Sequence, residues 1–430
     1  MFANMAWIEP QYSSKDVDKA GAVFLRRLGD TQAEFDDFMH ALDVIDNWRG
    51  SHAFPLNTFQ VTLRRKARSV YDEALVAQRI KRLASIGEKL LRLRDLSLSQ
   101  MQDIGGCRAV VGTLAQVNRL VKVYETSDLR HTPLRKDDYI LKPKWDGYRG
   151  IHLIYQYHSR RKQTWDGLQV EMQFRTNLQH TWATAVETVQ TFTAQALKAH
   201  RGSKDWHRFF ALMGTHIALR EHAPPVPHTP TSDKEIAREL RQLSQKLNVA
   251  PSLNAYASTI DVIQKPVVRN ADRFLLVLDP QETVTITSYR FGELERASKD
   301  YTDAENRIRQ HAGAQAVLVS VDSINTLRRA YPNYFADTRA FLGEVKRALV
   351  AQHGREAGPG QRVVRHDQHT QVARAGTCVG FLNGAPPPSS ITKGCGEAVQ
   401  LRKPSQFLKQ GSKSRQNMAH FSLTLASRYQ

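Results

Sequence analysis

Two carboxylates stand out because of their neighbours. Glu171 lies in L-Q-V-E-M-Q-F-R-T, 168–176, where Leu168, Val170, Met172 and Phe174 alternate with Gln169, Glu171, Gln173 and Arg175. Alternation of period two predicts a half-buried strand. Its polar face then carries a carboxylate, two amides and a guanidinium in a row. Asp103 lies in M-Q-D-I-G-G-C-R-A-V-V, 101–111, a short strand that opens on a carboxylate and a glycine pair. A carboxylate beside glycines can approach a metal-bound phosphate closely. Taken singly, each residue has an ordinary explanation: a solvated strand face for Glu171 and a turn-forming side chain for Asp103.

Two further stretches change that balance. Q-R-I-K-R-L-A-S-I-G-E-K-L-L-R, 78–92, gathers Arg79, Lys81, Arg82, Lys89 and Arg92 around Ser85, which is read as opening a helix. A helix N-terminus among cations binds phosphate, although a solvated basic helix has the same composition. K-D-D-Y-I-L-K-P-K-W-D-G-Y-R-G-I-H-L, 136–153, places Lys144, Tyr148 and His152 at the entry to an apolar strand-like run, 151–157.

The elements that must position these groups follow from periodicity. Helical spacing covers 16–28 and 31–48, with Thr31 and Glu34 set as a capping box. Further helices are expected over 56–72, 115–127, 177–200 and 203–221. The apolar faces of the last two (Trp182, Ala185, Val186, Val189; Trp206, Phe209, Phe210, Met213, Ile217) read as core. H-A-P-P-V-P-H-T-P-T-S, 222–232, reads as a proline-rich linker, after which Ser232 and Glu235 form a second capping-box pattern. Strands at 274–278, 283–290 and 316–321 and helices at 293–311 and 337–350 suggest a small α/β module without a chemical signature. The domain expectation is helices over 1–53, a catalytic domain over 54–221, the linker, an accessory module over 233–353 and a basic, disordered tail over 354–430. His366, His369, Cys378 and Cys395 in that tail lack zinc-finger spacing, and His366-Asp367 has no helical scaffold to make it a metal dyad.

The chain has 430 residues and a formal net charge of +19, which favours anionic partners such as nucleotides or RNA. No run of about 18 apolar residues suggests a membrane span, and no basic-then-apolar leader suggests secretion. Three cysteines make no disulfide framework, so a cytoplasmic location is expected.

The four motifs, taken in chain order from 78–92 through 101–111 and 136–153 to 168–176, resemble the synthetase domain of the RelA/SpoT family, the alarmone synthetases, over roughly 54–189. The resemblance implies an α+β fold: a nucleotidyltransferase-like mixed sheet flanked by helices, followed here by the small α/β module and the tail. It implies transfer of pyrophosphate from ATP to a ribose 3′-hydroxyl with release of AMP. Asp103 and Glu171 would be catalytic and would hold Mg²⁺, and Glu171 would take or orient the hydroxyl proton. Arg79 and Arg108 would sandwich the adenine, and Lys81, Ser85 and Lys89 would hold the phosphates. Lys144, Tyr148, His152, Gln173 and Arg175 would serve the acceptor, with Tyr148 stacked on its base. The family's loop often reads N-G-Y-R-S-L-H, and here it reads D-G-Y-R-G-I-H, so Asp146 and Gly150 change the part that reads the acceptor. The acceptor expected first is GDP or GTP. An adenine nucleotide or the 3′ end of tRNA are alternatives, the latter with an antitoxin partner, and a non-catalytic nucleotide or RNA sensor is a third reading.

Overall fold

The computed structural model describes residues 7–350 apart from 27–30, 162, 197–202, 260, 265–267, 280–282, 309–313, 322 and 336. The tail and its cysteines and histidines lie outside the described residues. Among the described residues nine strands form one mixed sheet: β1 (Leu75–Ile80), β2 (Gly105–Val111), β3 (Thr132–Asp138), β4 (Ile151–Gln156), β5 (Gln169–Thr176), β6 (Asp261–Gln264), β7 (Ala271–Leu278), β8 (Thr283–Arg290) and β9 (Gln315–Ser320). The order is β3-β4-β5-β2-β1-β9-β7-β8-β6. The β2–β5 and β6–β8 pairs are parallel and the others antiparallel. The α+β expectation therefore holds, as a mixed sheet flanked by helices.

Among the described residues twelve α-helices accompany the sheet: α1 (Ser14–Phe24), α2 (Gln32–Ser51), α3 (Ala53–Val70), α4 (Leu83–Arg92), α5 (Leu114–Glu125), α6 (Asn177–Ala196), α7 (Ser203–Arg220), α8 (Asp233–Lys246), α9 (Val249–Thr259), α10 (Leu294–Ile308), α11 (Ile324–Ala330) and α12 (Arg339–Val350). The Thr31–Glu34 capping box is present at α2. The one expected at Ser232 is not: Ser232 is the N-cap of α8, but its side chain makes no capping bond. Ser85 does not open its helix either. Arg82 is the N-cap, and α4 begins at Leu83. β3 was not expected, because T-P-L-R-K-D-D is proline-containing and charged; such a sequence is tolerated only at a sheet edge, where β3 lies.

Alternation sends Val76, Cys107, Ala109, Leu153, Tyr155, Val170, Met172 and Phe174 into a core with Leu56, Phe59 and Leu63 of α3 and Val117, Leu120 and Val121 of α5. The stretch 222–232 joins α7 to α8 without parting two cores. Phe209, Leu212 and Met213 of α7 pack with Ile236 and Leu240 of α8 and with Phe341 and Val345 of α12. The stretch is itself pinned, as the Val226 amide donates to the Thr215 hydroxyl at 3.0 Å. The later strands also continue the earlier sheet edge to edge, through Gln78↔Ser320 and Arg79↔Val319.

The loop into β4 is held by a close approach. Gly147 has φ +98°, and a Cβ there would lie 2.9 Å from both the Phe210 carbonyl oxygen and the Trp182 ring. Gly150 has φ +150°, and a Cβ would sit 3.2 Å from the Phe174 carbonyl oxygen and 3.3 Å from the Arg175 side chain, which accounts for glycine at this position of the loop. Gly147→Ala is expected to cost about 1–3 kcal/mol, through a left-handed backbone and a clash with backbone atoms, and to lower the midpoint of thermal unfolding.

Candidate active site

The sheet face turned away from α3 and α5 carries the polar residues. In register across it, Arg79 lies opposite Gly106, and Gly106 opposite Glu171. One step along, Arg108 lies opposite Gln173, and Gln173 opposite His152. A Cβ on Gly106 would meet nothing within 4 Å, so open space separates the Arg79 and Glu171 positions.

Glu171 is held from two sides. His152 Nδ1 lies 2.8 Å from one carboxylate oxygen, and Gln173 Nε2 donates to the other at 2.6 Å. Burial pushes this carboxyl up, but the His152 hydrogen bond and charge and the Gln173 bond outweigh burial and the Asp103 charge. Glu171 thus stays below the usual carboxylate range. With Nδ1 donating to Glu171, His152 Nε2 accepts from the Tyr148 hydroxyl at 2.5 Å. Arg175 Nη2 donates to the Tyr148 oxygen at 2.7 Å and to Gln173 Oε1 at 3.0 Å, closing the network. The Nε and Nη1 groups of Arg175 are buried without a hydrogen-bond partner. Lys144 stands over the rings of Tyr139 and Tyr148, its Nζ 4.3 Å and 5.0 Å from their centroids. Lys144, Tyr148, His152, Glu171, Gln173 and Arg175 therefore come together.

Asp103 lies before β2 and accepts from Lys81 Nζ and Lys89 Nζ, each at 2.7 Å. Burial raises its carboxyl, but the two ammonium groups hold it far below the ordinary range. Ser85 is half-buried one turn before Lys89 on α4. Among the described residues no group of three or more His, Cys, Asp and Glu side chains is placed to hold a metal by itself. Asp103 and Glu171 do feel each other's charge. Two carboxylates suit a hard cation whose remaining ligands are phosphate oxygens and waters.

Arg79 and Arg108 share the same face, but an aromatic side chain already lies against Arg108. Arg108 sits over the Tyr331 ring at 5.3 Å and donates to the Ala330 carbonyl at 2.7 Å. Burial and then the Arg175 charge pull the Arg108 guanidinium down to about 10. For Arg79 burial is outweighed by Glu187, then Tyr331, Tyr334 and Asp103, which hold it above its ordinary value. The Tyr331 hydroxyl donates to the Gln78 carbonyl at 3.0 Å. Tyr331 and Tyr334 are buried on a segment for which the sequence offered no chemistry. The only local sign is a pair of tyrosines three apart after a short helix, I-N-T-L-R-R-A.

Arg49 is the other residue that spacing did not single out. Its Nε donates to the Lys81 carbonyl at 3.0 Å, while its terminal nitrogens meet Asp46 at 2.8 Å, Glu305 at 2.8 and 3.0 Å, and the Tyr301 hydroxyl at 2.7 Å. This buried network fixes the turn from which Lys81 reaches Asp103. Its sequence sign, an arginine at the end of an apolar helix stripe, is not distinctive.

Residues 78–193 match the family description "Region found in RelA / SpoT proteins". The chain is 31% identical over 111 residues to the GTP pyrophosphokinase YwaC of Bacillus subtilis (strain 168), an alignment that takes in 24% of this chain. It spans about half the length of that curated relative, 52%. Solved structures that resemble it include small alarmone synthetase 1 from Bacillus subtilis bound to its product pppGpp (20% identity, 50% of this chain and 96% of that one, TM-score 0.32). Another is smu.1046c from Streptococcus mutans UA159 (20% identity, 48% and 98%, TM-score 0.35). Residues 78–193 of this chain, which hold Arg79, Asp103, Arg108 and Glu171, are the part that is similar to the RelA/SpoT region.

Proposed function

We propose that this face transfers a pyrophosphoryl group from ATP to the 3′-hydroxyl of GDP or GTP, giving a guanosine 3′,5′-polyphosphate and AMP. The observation that carries the reading is Glu171: a half-buried carboxylate bonded to His152 and Gln173, beside a buried Arg175 whose Nε and Nη1 have no partner. The acceptor oxygen forms a bond to the β-phosphorus of ATP, the bond from that phosphorus to the α–β bridging oxygen breaks, and AMP leaves with the electron pair. Glu171 takes the hydroxyl proton. Arg175 meets acceptor phosphate, which supplies what its Nε and Nη1 lack. Lys81 and Lys89 turn from Asp103 to the ATP phosphates, and Ser85 donates from the same helix. Asp103 and Glu171 would hold Mg²⁺, which supplies charge neutralisation for the phosphates.

In this reading the adenine seat lies between Arg79 and Arg108, and its Arg108 side is where the Tyr331 ring lies. The nucleotide and this side chain compete for one guanidinium, so ATP enters only when the segment after α11 moves aside. The alternative acceptor, a tRNA 3′ end, has one observation in its favour. Trp145, in the loop before Tyr148, is 66% exposed, a stacking surface for a nucleotide chain longer than one unit.

Purified protein given Mg²⁺ and γ-labelled ATP should label GDP or GTP, with AMP as co-product. Glu171→Gln and Asp103→Asn should each lower turnover by roughly 10²–10⁴-fold. Absence of labelling with GDP, GTP, ATP and tRNA offered separately would overturn the reading, and labelling of tRNA alone would select the alternative. Tyr331→Ala should lower the ATP concentration needed for half-maximal rate; an unchanged value in a folded variant would count against the shared seat. The pH profile gives a further check. Burial raises Glu171 and His152 lowers it, so activity should fall only below the ordinary carboxylate range. In His152→Ala burial is opposed less, and the acid limb of kcat/KM should move up in pH.

A further inference from the structure

In the proposed reading Tyr148 and Arg175 face the acceptor, and Arg175 Nη2 donates to the Tyr148 oxygen at 2.7 Å. Each is followed in the chain by a buried polar residue, Arg149 and Thr176. Both of these are bonded to one short stretch at the end of α7. Arg149 Nη2 donates to the Pro224 carbonyl, and the Thr176 hydroxyl donates to one oxygen of Glu221. Gln179, in the first turn of α6, donates to the other Glu221 oxygen at 2.9 Å. The stretch is firm at its root. His222 takes a left-handed backbone, φ 54°, and the Glu221 and Ala223 amides close back on the Ile217 and Ala218 carbonyls at 3.0 and 2.9 Å.

Arg149 also ties its own loop together. Its Nη1 donates to the Ile140 carbonyl at 3.1 Å, across the base of the loop that runs from β3 to β4 and carries Lys144 and Tyr148. The backbone closes the same base, where the Tyr139 amide donates to the Gly150 carbonyl at 3.0 Å. One guanidinium thus joins the outgoing limb, the returning limb and the end of α7. Holding it there is costly. Burial pulls it down to about 10, the Glu221 charge opposes this, and its Nε has no hydrogen-bond partner. Glu221 is pushed up by burial, beyond what the Thr176 and Gln179 bonds and the Arg149 and Arg220 charges recover. A buried cation whose two hydrogen-bond partners are both backbone carbonyls fixes the course of the chain.

We propose that Arg149 and Glu221 are positioning residues for the acceptor side. They mount Tyr148 and Arg175 on the stretch Glu221–Pro224 and so set the gap into which an acceptor base and phosphate fit. The use of that gap rests on the pyrophosphoryl-transfer reading; the mount does not.

The test compares Arg149→Met, Arg149→Lys, Glu221→Gln and Thr176→Val with the parent, as full chains with parent-like circular dichroism and melting. With Mg²⁺, ATP and GDP, Arg149→Met should raise the KM for GDP about tenfold and leave that for ATP within about twofold. Arg149→Lys, which keeps the charge but loses the fork between two carbonyls, should fall between parent and Arg149→Met. Glu221→Gln and Thr176→Val loosen the other limb and should show the same split. A fall in kcat with both KM values unchanged, as a smaller active fraction gives, overturns the proposal, and so does an equal rise in both. A second readout needs no turnover. In chain with isotope-labelled tyrosine rings, NMR follows the phenol that Tyr148→Phe removes. Burial holds this phenol above its ordinary value, against the Arg175 and Arg108 charges and with Glu171 adding to the rise. In Arg149→Met it should titrate closer to the ordinary value. A parent that transfers nothing to GDP or GTP, with this shift present, sinks the reaction and keeps the mount. An unshifted Tyr148 in the folded variant sinks the mount itself. Should Arg149→Met fail to fold, Thr176→Val decides by the same two readouts.

Discussion

Taking a guanidinium out of water costs several kcal/mol unless charge or hydrogen bonds replace the lost solvation. Arg79, Arg108 and Arg175 share one face of one sheet, and much of the surrounding structure answers that cost. Arg175 is met by Tyr148 and Gln173, Arg108 by the Ala330 carbonyl and the Tyr331 ring, and Arg79 by the field of Glu187. The compensation is incomplete, as the unpaired groups of Arg175 and the lowered Arg108 show. A face in this condition attracts anions, and a polyphosphate brings both charge and acceptor oxygens.

The latter part of the chain belongs to the same problem. α11 and the two tyrosines after it close the polar face over β1 and β2. α10 covers the opposite side, and its Glu305 pairs with Arg49 behind Lys81. One side chain from the later part thus lies against Arg108, and another braces the turn that carries Lys81. Sheet, cores and polar network run through the segment 222–232 rather than stopping at it.

Much of the face was legible in the sequence. The alternation around Glu171 places that residue and Arg175 on a strand, and a strand has only two faces. What spacing could not show was register. His152 reaches Glu171 only because β4 and β5 pair as they do. Lys81 and Lys89 meet at Asp103 because α4 begins two residues before Ser85. Tyr331 was beyond reach for a different reason. Its partners lie far away in the chain, and buried tyrosines on a short helix look the same whether they fill a core or lie against an arginine. β3 escaped because an edge strand tolerates proline and charge that an inner strand does not.

The junction of β1 with β9 also has a consequence in time. Tyr331 bonds to Gln78 across 253 residues. A ribosome adds about 5–20 residues per second, so the strands bearing Arg79, Asp103, Arg108 and Glu171 leave the tunnel some seconds before the segment that covers them. Throughout that interval β1 is an outer strand with an unclaimed edge, and its arginine face is open to any phosphate in the vicinity. The nascent protein thus passes through an uncovered form before it becomes the covered one.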